Sequence, residues 1–241
     1  MFSNNLPSKH KSEEGERPFW ISYADLMTAL MILFLVVMVA SIVSLTDVIK
    51  NQAAGEKKRS EDIAELCRKL KLKAEGSDQR IIVDCNDNRI NFGEAGRFGH
   101  DDFRLGNEGR NALRNVVPLI LDAAESEEGK SWFKQVLIEG FTDTDGSYLY
   151  NLHLSLQRSE FVMCTLLDVR ATSQVELTEL QKAQVRNLFL AGGVSFNNAK
   201  ESKEASRRVE LRMQFYGVKD KKDEGSQPVF NITKTEICKL S

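Results

Sequence analysis

Two stretches of this 241-residue chain hold residue types at spacings that could do chemistry. The first is a lone carboxylate, Asp25, near the start of an apolar run from Phe19 to Leu45, FWISYADLMTALMILFLVVMVASIVSL. A charge in hydrocarbon costs roughly 2.5–3.5 kcal/mol on insertion scales, so such an acid persists by facing protein or water, or by taking up a proton. The chemistry on offer is reversible protonation inside a membrane. Ser22, Thr28 and Ala29 lie three or four residues from it and are small enough for another helix to approach; with Tyr23 they form the predicted packing face. The plainer reading, that Asp25 only ends the span, ranks lower because Trp20, Ile21 and Tyr23 before it already suit a membrane interface.

The second stretch is GFTDTDGSYLYNLHLSLQRSEFV, Gly140 to Val162, where a predicted strand runs through an acidic turn into a helix. Asn151, Leu154 and Arg158 fall at i, i+3 and i+7 and share a helix face, with Thr142 and Asp143 at the strand end placed to sit against it. A guanidinium fork beside an acceptor carboxylate suits a zwitterion: Arg158 grips a carboxylate while Asp143 takes an ammonium or amide donor. Spacing alone equally allows an internal Asp143 to Arg158 salt bridge, with Asp145 and Ser147 as helix caps.

These sites need positioning elements. At about 1.5 Å per residue, the apolar run crosses a hydrocarbon core of roughly 30 Å as one helix. Residues 1–18 are polar, with Pro7 and Pro18, and read as a tail; 19–46 is the span; 47–78 is a charged linker helix in two pieces broken at Gly55. Its narrow stripe of Ile63, Leu66 and Leu70 suits a two-helix contact and hence a dimer. From 79 to 216 the chain reads as a mixed sheet covered by helices, an α+β domain. RIIVDCNDNRINF is a hairpin, and its Asp84, Asn86 and Asn88 serve the turn better than a calcium loop, since Arg89 stands where glycine is required. A helix opens at Asn107, VLIEGF (Val136 to Phe141) is a buried strand, helices follow at Ser147 to Asp168 and about Val175 to Ala191, and Arg207 to Phe215 closes the sheet. Residues 217–241 are a polar extension.

Composition narrows the function. A formal net charge of -2 and a pI near 6.0 leave no footprint for direct nucleic-acid binding. The three histidines have no metal-ligand spacing, and phosphate-loop, dinucleotide and nucleophile-elbow motifs are absent, so neither metal, cofactor nor enzyme activity is expected. Met38-Val39-Ala40 is a poor cleavage site, so the span is expected to stay attached. Lysines and arginines balance on its two sides and leave the orientation open.

SYADLMTALMILFLVV resembles the membrane segment of the MotB family of ion-driven stator subunits, matching it at Tyr23, Ala24, Asp25, Met27, Thr28 and Ala29. The resemblance implies that Asp25 carries a translocated proton, that the chain is a homodimer inside a pentameric MotA-like or ZorA-like membrane ring, and that the carboxyl domain is periplasmic. Among such proteins it looks more like the subunit of Zorya anti-phage defence systems than a flagellar one, which implies indirect partnership with cytosolic defence effectors. The second stretch is similar to the peptidoglycan-binding motif of OmpA-like domains, through Thr142, Asp143, Gly146, Asn151, Leu154, Ser155 and Arg158, and Arg207-Arg208-Val209-Glu210 looks like that family's closing strand. The implied site is Thr142, Asp143, Tyr150, Asn151, Leu154 and Arg158, with Asp143 and Arg158 holding the free ends of a diaminopimelate residue; the chain departs in Phe141, where histidine is usual, and Glu160, where alanine is common.

The expected architecture is therefore a single transmembrane helix plus an OmpA-like α+β domain, in a bacterial inner membrane with a cytoplasmic amino terminus. The expected function is a proton-driven, wall-anchored motor subunit in anti-phage defence; a flagellar stator subunit or a passive envelope tether are the alternatives. Cys67, Cys85, Cys164 and Cys238 all follow the span, and nearness in the chain and in the expected fold favours Cys67 with Cys85 and Cys164 with Cys238, against four free thiols.

Overall fold

Helix α1 spans Arg17–Ser77 and dominates the amino-terminal third of the chain. A computed structural model describes residues 17–168, 177–220 and 237–240. Of the predicted tail over 1–18, residues 1–16 lie outside the described residues, while Arg17 and Pro18 already form the first turn of α1; Val175, the start of the third predicted helix, and residues 221–236 and 241 of the predicted extension over 217–241 also lie outside them. The chain divides into two compact units, Met1–Ala54 and Gly55–Ser241.

In the first unit α1 is long and apolar enough to cross a membrane, and from Trp20 through Ile49 its large apolar side chains are all exposed. Apolar side chains on every face are what a lipid-facing helix needs.

In the second unit the remainder of α1 changes texture. Salt bridges one turn apart, such as Arg68 to Glu65 at 2.7 Å, line the solvent side, each adding a few tenths of a kcal/mol. The other side buries Leu66, Cys67, Leu70 and Ala74 in the domain core. Two expectations are corrected here. Gly55 does not divide the helix, since a single glycine costs only about 1 kcal/mol relative to alanine. The Leu66 and Leu70 stripe is covered by the chain's own domain and is not open to a second helix. Residues 55–77 of the expected linker over 47–78 pack within the second unit. Arg59 Nε donates to Tyr216 O at 2.6 Å, Trp132 Nε1 to Asp62 Oδ2 at 2.9 Å and Lys69 Nζ to Glu128 Oε1 at 2.7 Å, fixing this segment to the domain.

The domain continues with strands β1 (Ile82–Asp84) and β2 (Arg89–Asn91), helices α2 (Asn107–Glu125) and α3 (Glu127–Trp132), strand β3 (Phe133–Gly140), helices α4 (Tyr148–Leu167) and α5 (Glu179–Leu188), strand β4 (Phe189–Gly193), helix α6 (Lys203–Ser206) and strand β5 (Val209–Phe215). The sheet order is β1-β2-β5-β3-β4, antiparallel except for β3 with β4, where Val136 pairs with Phe189 and Gly140 with Gly193. The parallel pair requires a crossover, and α4 and α5 lie within it. The expected mixed sheet with helices is the fold observed.

In the hairpin Asp84 Oδ1 accepts from Asn86 N at 2.9 Å and Asn88 adopts φ 53°, turn chemistry as expected. The third predicted helix stops short: Phe189 to Ala191 are strand, because the edge of β3 takes them as a partner. Alternation on β5 sends Val209, Leu211 and Met213 into the core and Glu210 and Arg212 to the opposite face. There Arg89 Nη1 donates to both Glu139 and Glu210 at 2.6 Å, and Arg208 Nε to Glu210 at 2.7 Å, so the buried charges are paired.

Disulfides join Cys67 to Cys85 and Cys164 to Cys238. The first fastens α1 to the loop after β1, across a sequence separation of 18. Replacing Cys67 and Cys85 together by alanine is expected to destabilise the soluble unit by about 3 kcal/mol, the entropy of closing a loop of that size, read as a lower urea midpoint.

Candidate functional site

The site is built where β3 gives way to α4. Gly140 ends the strand because a Cβ there would stand 2.0 Å from Ser155 O, so only glycine lets α4 lie this close to the sheet. Beyond it Phe141 N donates to Arg208 O at 2.9 Å and Thr142 N to Ser195 O at 3.0 Å, which holds the strand end rigid. The turn that follows is closed by Asp143 Oδ1 accepting from Asp145 N at 3.1 Å and by Gly146 at φ 92°. Ser147 caps α4, its hydroxyl accepting from Tyr150 N at 3.3 Å. Asn151 clasps the turn, donating from Nδ2 to Asp145 O at 2.7 Å and Ser147 O at 3.1 Å, so its amide supports the site's frame.

Arg158 has no exposed surface. Its donors go to three backbone carbonyls: Nη1 to Phe141 at 2.6 Å, Nε to Asp102 at 2.9 Å and Nη2 to Gly99 at 3.1 Å, with the guanidinium 4.9 Å from the Phe98 ring centre. Burial draws its pKa down to about 10, against the opposing pull of Asp143, and it remains a cation at neutral pH. The internal Asp143 to Arg158 salt bridge that spacing allowed is not formed: Asp143 Oδ2 accepts instead from Arg207 Nη1 at 2.9 Å. Burial alone would oppose ionisation of Asp143, but the Arg207 guanidinium and the Asp145 N–H outweigh it and hold the carboxyl below its ordinary range. Asp145 is not a cap either; Lys203 Nζ binds both its oxygens, at 2.7 and 2.8 Å.

These groups enclose a pocket of about 210 Å³. Thr142, Asp143, Tyr150, Asn151, Leu154 and Arg158, the six residues named from the sequence, all line it, together with His100, Asp101 and Arg207, which the sequence reading did not place there. The loop from Gly99 to Asp102 forms one wall, tied down by Arg158 and by a hydrogen bond from the Tyr150 hydroxyl to Asp101. Thr142 Oγ1 is buried, lines the pocket and has no hydrogen-bond partner. An orphaned hydroxyl beside a carboxylate and a guanidinium is a complement for a small polar ligand bearing both charges. Two larger hollows, of about 460 and 470 Å³, share Arg208 and Glu210, which are bonded to each other.

Phe141, standing where histidine is usual, turns away from the pocket, its ring lying under the Arg208 guanidinium at 4.0 Å, and the histidine that does line the pocket is His100 from the loop. His100, Asp143 and Asp145 bring ligating atoms within 4.8 Å of one another, a grouping their spacing in the sequence hides. Both carboxylates are already engaged by cations, which compete with a metal. The signal that could have identified Arg207 was its place in the Arg-Arg-Val-Glu run; nothing local marked the Gly99 to Asp102 loop. In the first unit Ser22, Tyr23, Asp25, Thr28 and Ala29 lie exposed on α1, Thr28 Oγ1 donates to Asp25 O at 2.9 Å, and among the described residues no side chain pairs with the Asp25 carboxylate.

Residues 5–54 match the family described as the membrane MotB of the proton-channel complex MotA/MotB. The whole chain is 62% identical over 242 residues to the Zorya protein ZorB of Escherichia coli, covering 100% of this chain and 98% of that one. Three solved structures are similar over part of the chain. A putative MotB-like protein of Desulfovibrio vulgaris is 14% identical, with TM-score 0.37 over 68% of this chain and 97% of that one. The OmpA-like domain of FopA1 from Francisella tularensis is 15% identical, with TM-score 0.34 over 56% and 81%. The peptidoglycan-associated lipoprotein of Burkholderia pseudomallei is 18% identical, with TM-score 0.32 over 50% and 88%.

Two substitutions separate ligand binding from folding. Thr142→Val removes a hydroxyl that makes no bond, so the urea midpoint should hold or rise while occupancy of the pocket falls. Arg158→Ala strands three carbonyls and is expected to cost about 3 kcal/mol or more in the same unfolding measurement.

Proposed function

The chain belongs to the ZorB family of MotB-like stator subunits, and on that footing we propose that it is a proton-driven motor subunit, fixed to the cell wall, serving anti-phage defence. The observation that carries this reading is the pairing, in one single-pass membrane chain, of a lone acid in the apolar part of α1 with a pocket in the carboxyl-terminal domain lined by both acids and arginines.

Protons reach Asp25 and neutralise it, which changes how α1 packs against a surrounding MotA-like ring, proposed to be pentameric around a dimer of this chain. Each charge that crosses the membrane gains about 2.3 kcal/mol per 100 mV, so a few protons per step supply useful work. Torque of that kind is transmitted only when one partner is held still. The pocket supplies the hold: Asp143 offers an acceptor to an ammonium, the Arg158 region attracts a carboxylate, and the Thr142 hydroxyl is free for a third contact, a set that fits the zwitterionic end of a diaminopimelate-containing peptidoglycan stem. The two disulfides suit an oxidising compartment, which supports a periplasmic carboxyl domain and a cytoplasmic amino terminus. Cytosolic defence effectors, acting on invading DNA, are partners at one remove.

The test combines Asp25→Asn with sedimentation on purified sacculi. Asp25→Asn is expected to assemble with the ring and to pellet with sacculi like the unmodified protein, while phage plating efficiency rises to that of cells lacking the system. Protection that survives the amide would reduce the chain to a passive tether, and a full-length chain that fails to pellet with sacculi would remove the wall anchor.

A further inference from the structure

Asp143 is the pocket's acceptor, yet a second arginine already occupies part of it. Arg207 Nη1 donates to Oδ2 at 2.9 Å, and Oδ1 accepts from Asp145 N at 3.1 Å. An ionised carboxylate has about four lone-pair sites, so two remain for a ligand. Arg207 is itself held from three directions. Its Nε donates to Phe98 O and its Nη2 to Glu204 Oε1, both at 3.3 Å, while its backbone O accepts from Phe98 N at 2.7 Å. Only 12% of its side chain is exposed.

We infer that Arg207 is a positioning residue of the wall-binding pocket: it clamps one oxygen of Asp143 and fixes that carboxylate's orientation, so that the remaining lone pairs face the ligand's ammonium. This rests on the wall-binding reading and adds to it the reason an acid more than nine-tenths buried stays charged. Without a cation beside it, burial would favour the neutral acid, which donates a proton where the ligand needs an acceptor. The clamp also sets the pocket's charge. Arg207 beside Asp143 and Arg158 on α4 set cations next to acids within the lining, and opposite charges side by side suit a zwitterion better than a simple anion or cation. Sequence separates Arg207 from Asp143 by 64 residues, and the Phe98 to Arg207 backbone bond is what brings the loop wall and the clamp to the same place.

The charged groups around Asp143 that bear on a pH profile come from every side. His100 and Asp101 lie on the loop, Asp145 on the turn, Arg158 on α4, and Lys203 and Glu204 on α6 beside Arg207. Because the same sacculi and the same neighbours are present in every variant, a displaced midpoint isolates the clamp.

The experiment measures the fraction of full-length protein, in detergent, that pellets with purified sacculi from pH 3 to pH 7, for the unmodified chain, Arg207→Gln, Arg207→Lys, Asp143→Asn and the double variant Asp143→Asn with Arg207→Gln. Arg207→Gln is expected to weaken binding about tenfold at neutral pH and to move the acid midpoint for loss of binding upward by about one unit, the usual scale for removing one adjacent opposite charge. Arg207→Lys, which keeps the charge, should restore the midpoint. Asp143→Asn should lose binding, and adding Arg207→Gln to it should change little, since the second group acts through the first. Additive losses, or an unmoved midpoint in Arg207→Gln, would overturn the clamp while leaving the wall-binding reading intact. Full binding by Asp143→Asn would overturn both.

Discussion

A guanidinium buried without any exposed surface and bonded to three backbone carbonyls is the interaction on which the soluble half of this chain depends. Desolvating a cation is costly unless its donors are satisfied, and here they are met by Phe141 at the end of β3 and by Gly99 and Asp102 in the loop before α2. The same three bonds that make Arg158 tolerable therefore join strand end, loop and helix into a single frame. They also leave Asp143 free of Arg158, so that it turns to Arg207 and lies at the pocket wall with lone pairs to spare. A motif that spacing presents as one acid and one base is, in three dimensions, an acid with its own arginine and an arginine with its own carbonyls.

The close approach that makes this frame possible is a backbone matter. Gly140 at the end of β3 admits the backbone of α4 at Ser155, and Gly193, its register partner at the end of β4, lies against Ser155 and Leu156. Two glycines at matching ends of a parallel strand pair thus set the height at which α4 sits, and with it the reach of Arg158 to the Phe141 carbonyl. The other large constraint is the docking of α1 from Gly55 onward. Leu66, Leu70 and Ala74 fill the core, and the bond from Cys67 to Cys85 prevents the segment from peeling away. A helix that reads as a linker is thereby, from Gly55 onward, a structural member of the domain.

Elements with a strong local signature were legible: the apolar span, the Asp84 to Arg89 turn, the buried face of α2, the run into α4. Six pocket residues were legible too, because a strand-turn-helix unit keeps Thr142, Asp143, Tyr150, Asn151, Leu154 and Arg158 together however the rest of the chain is arranged. The failures have a common cause. Phe189-Leu190-Ala191-Gly192-Gly193 carries no β-branched residue and two glycines, and it is a strand only because β3 offers it an edge. The Leu66 and Leu70 stripe has a helical period whichever surface covers it, and the sequence is silent on whether that surface is a second copy or the chain's own sheet.

By itself the sequence determined what depends on neighbours within a turn or two: a lipid-compatible helix with one acid in it, alternating strands, capped helices and a local constellation of pocket-lining groups. Tertiary structure alone decided the pairings among distant charges, the contribution of the Gly99 to Asp102 loop to the pocket, and the inclusion of α1 in the core. The physical reason is that periodicity and turn chemistry act over a few residues, where the backbone limits the choices. Several arginines compete for each buried carboxylate, and only the packed sheet and helices determine which of them arrives within 3 Å.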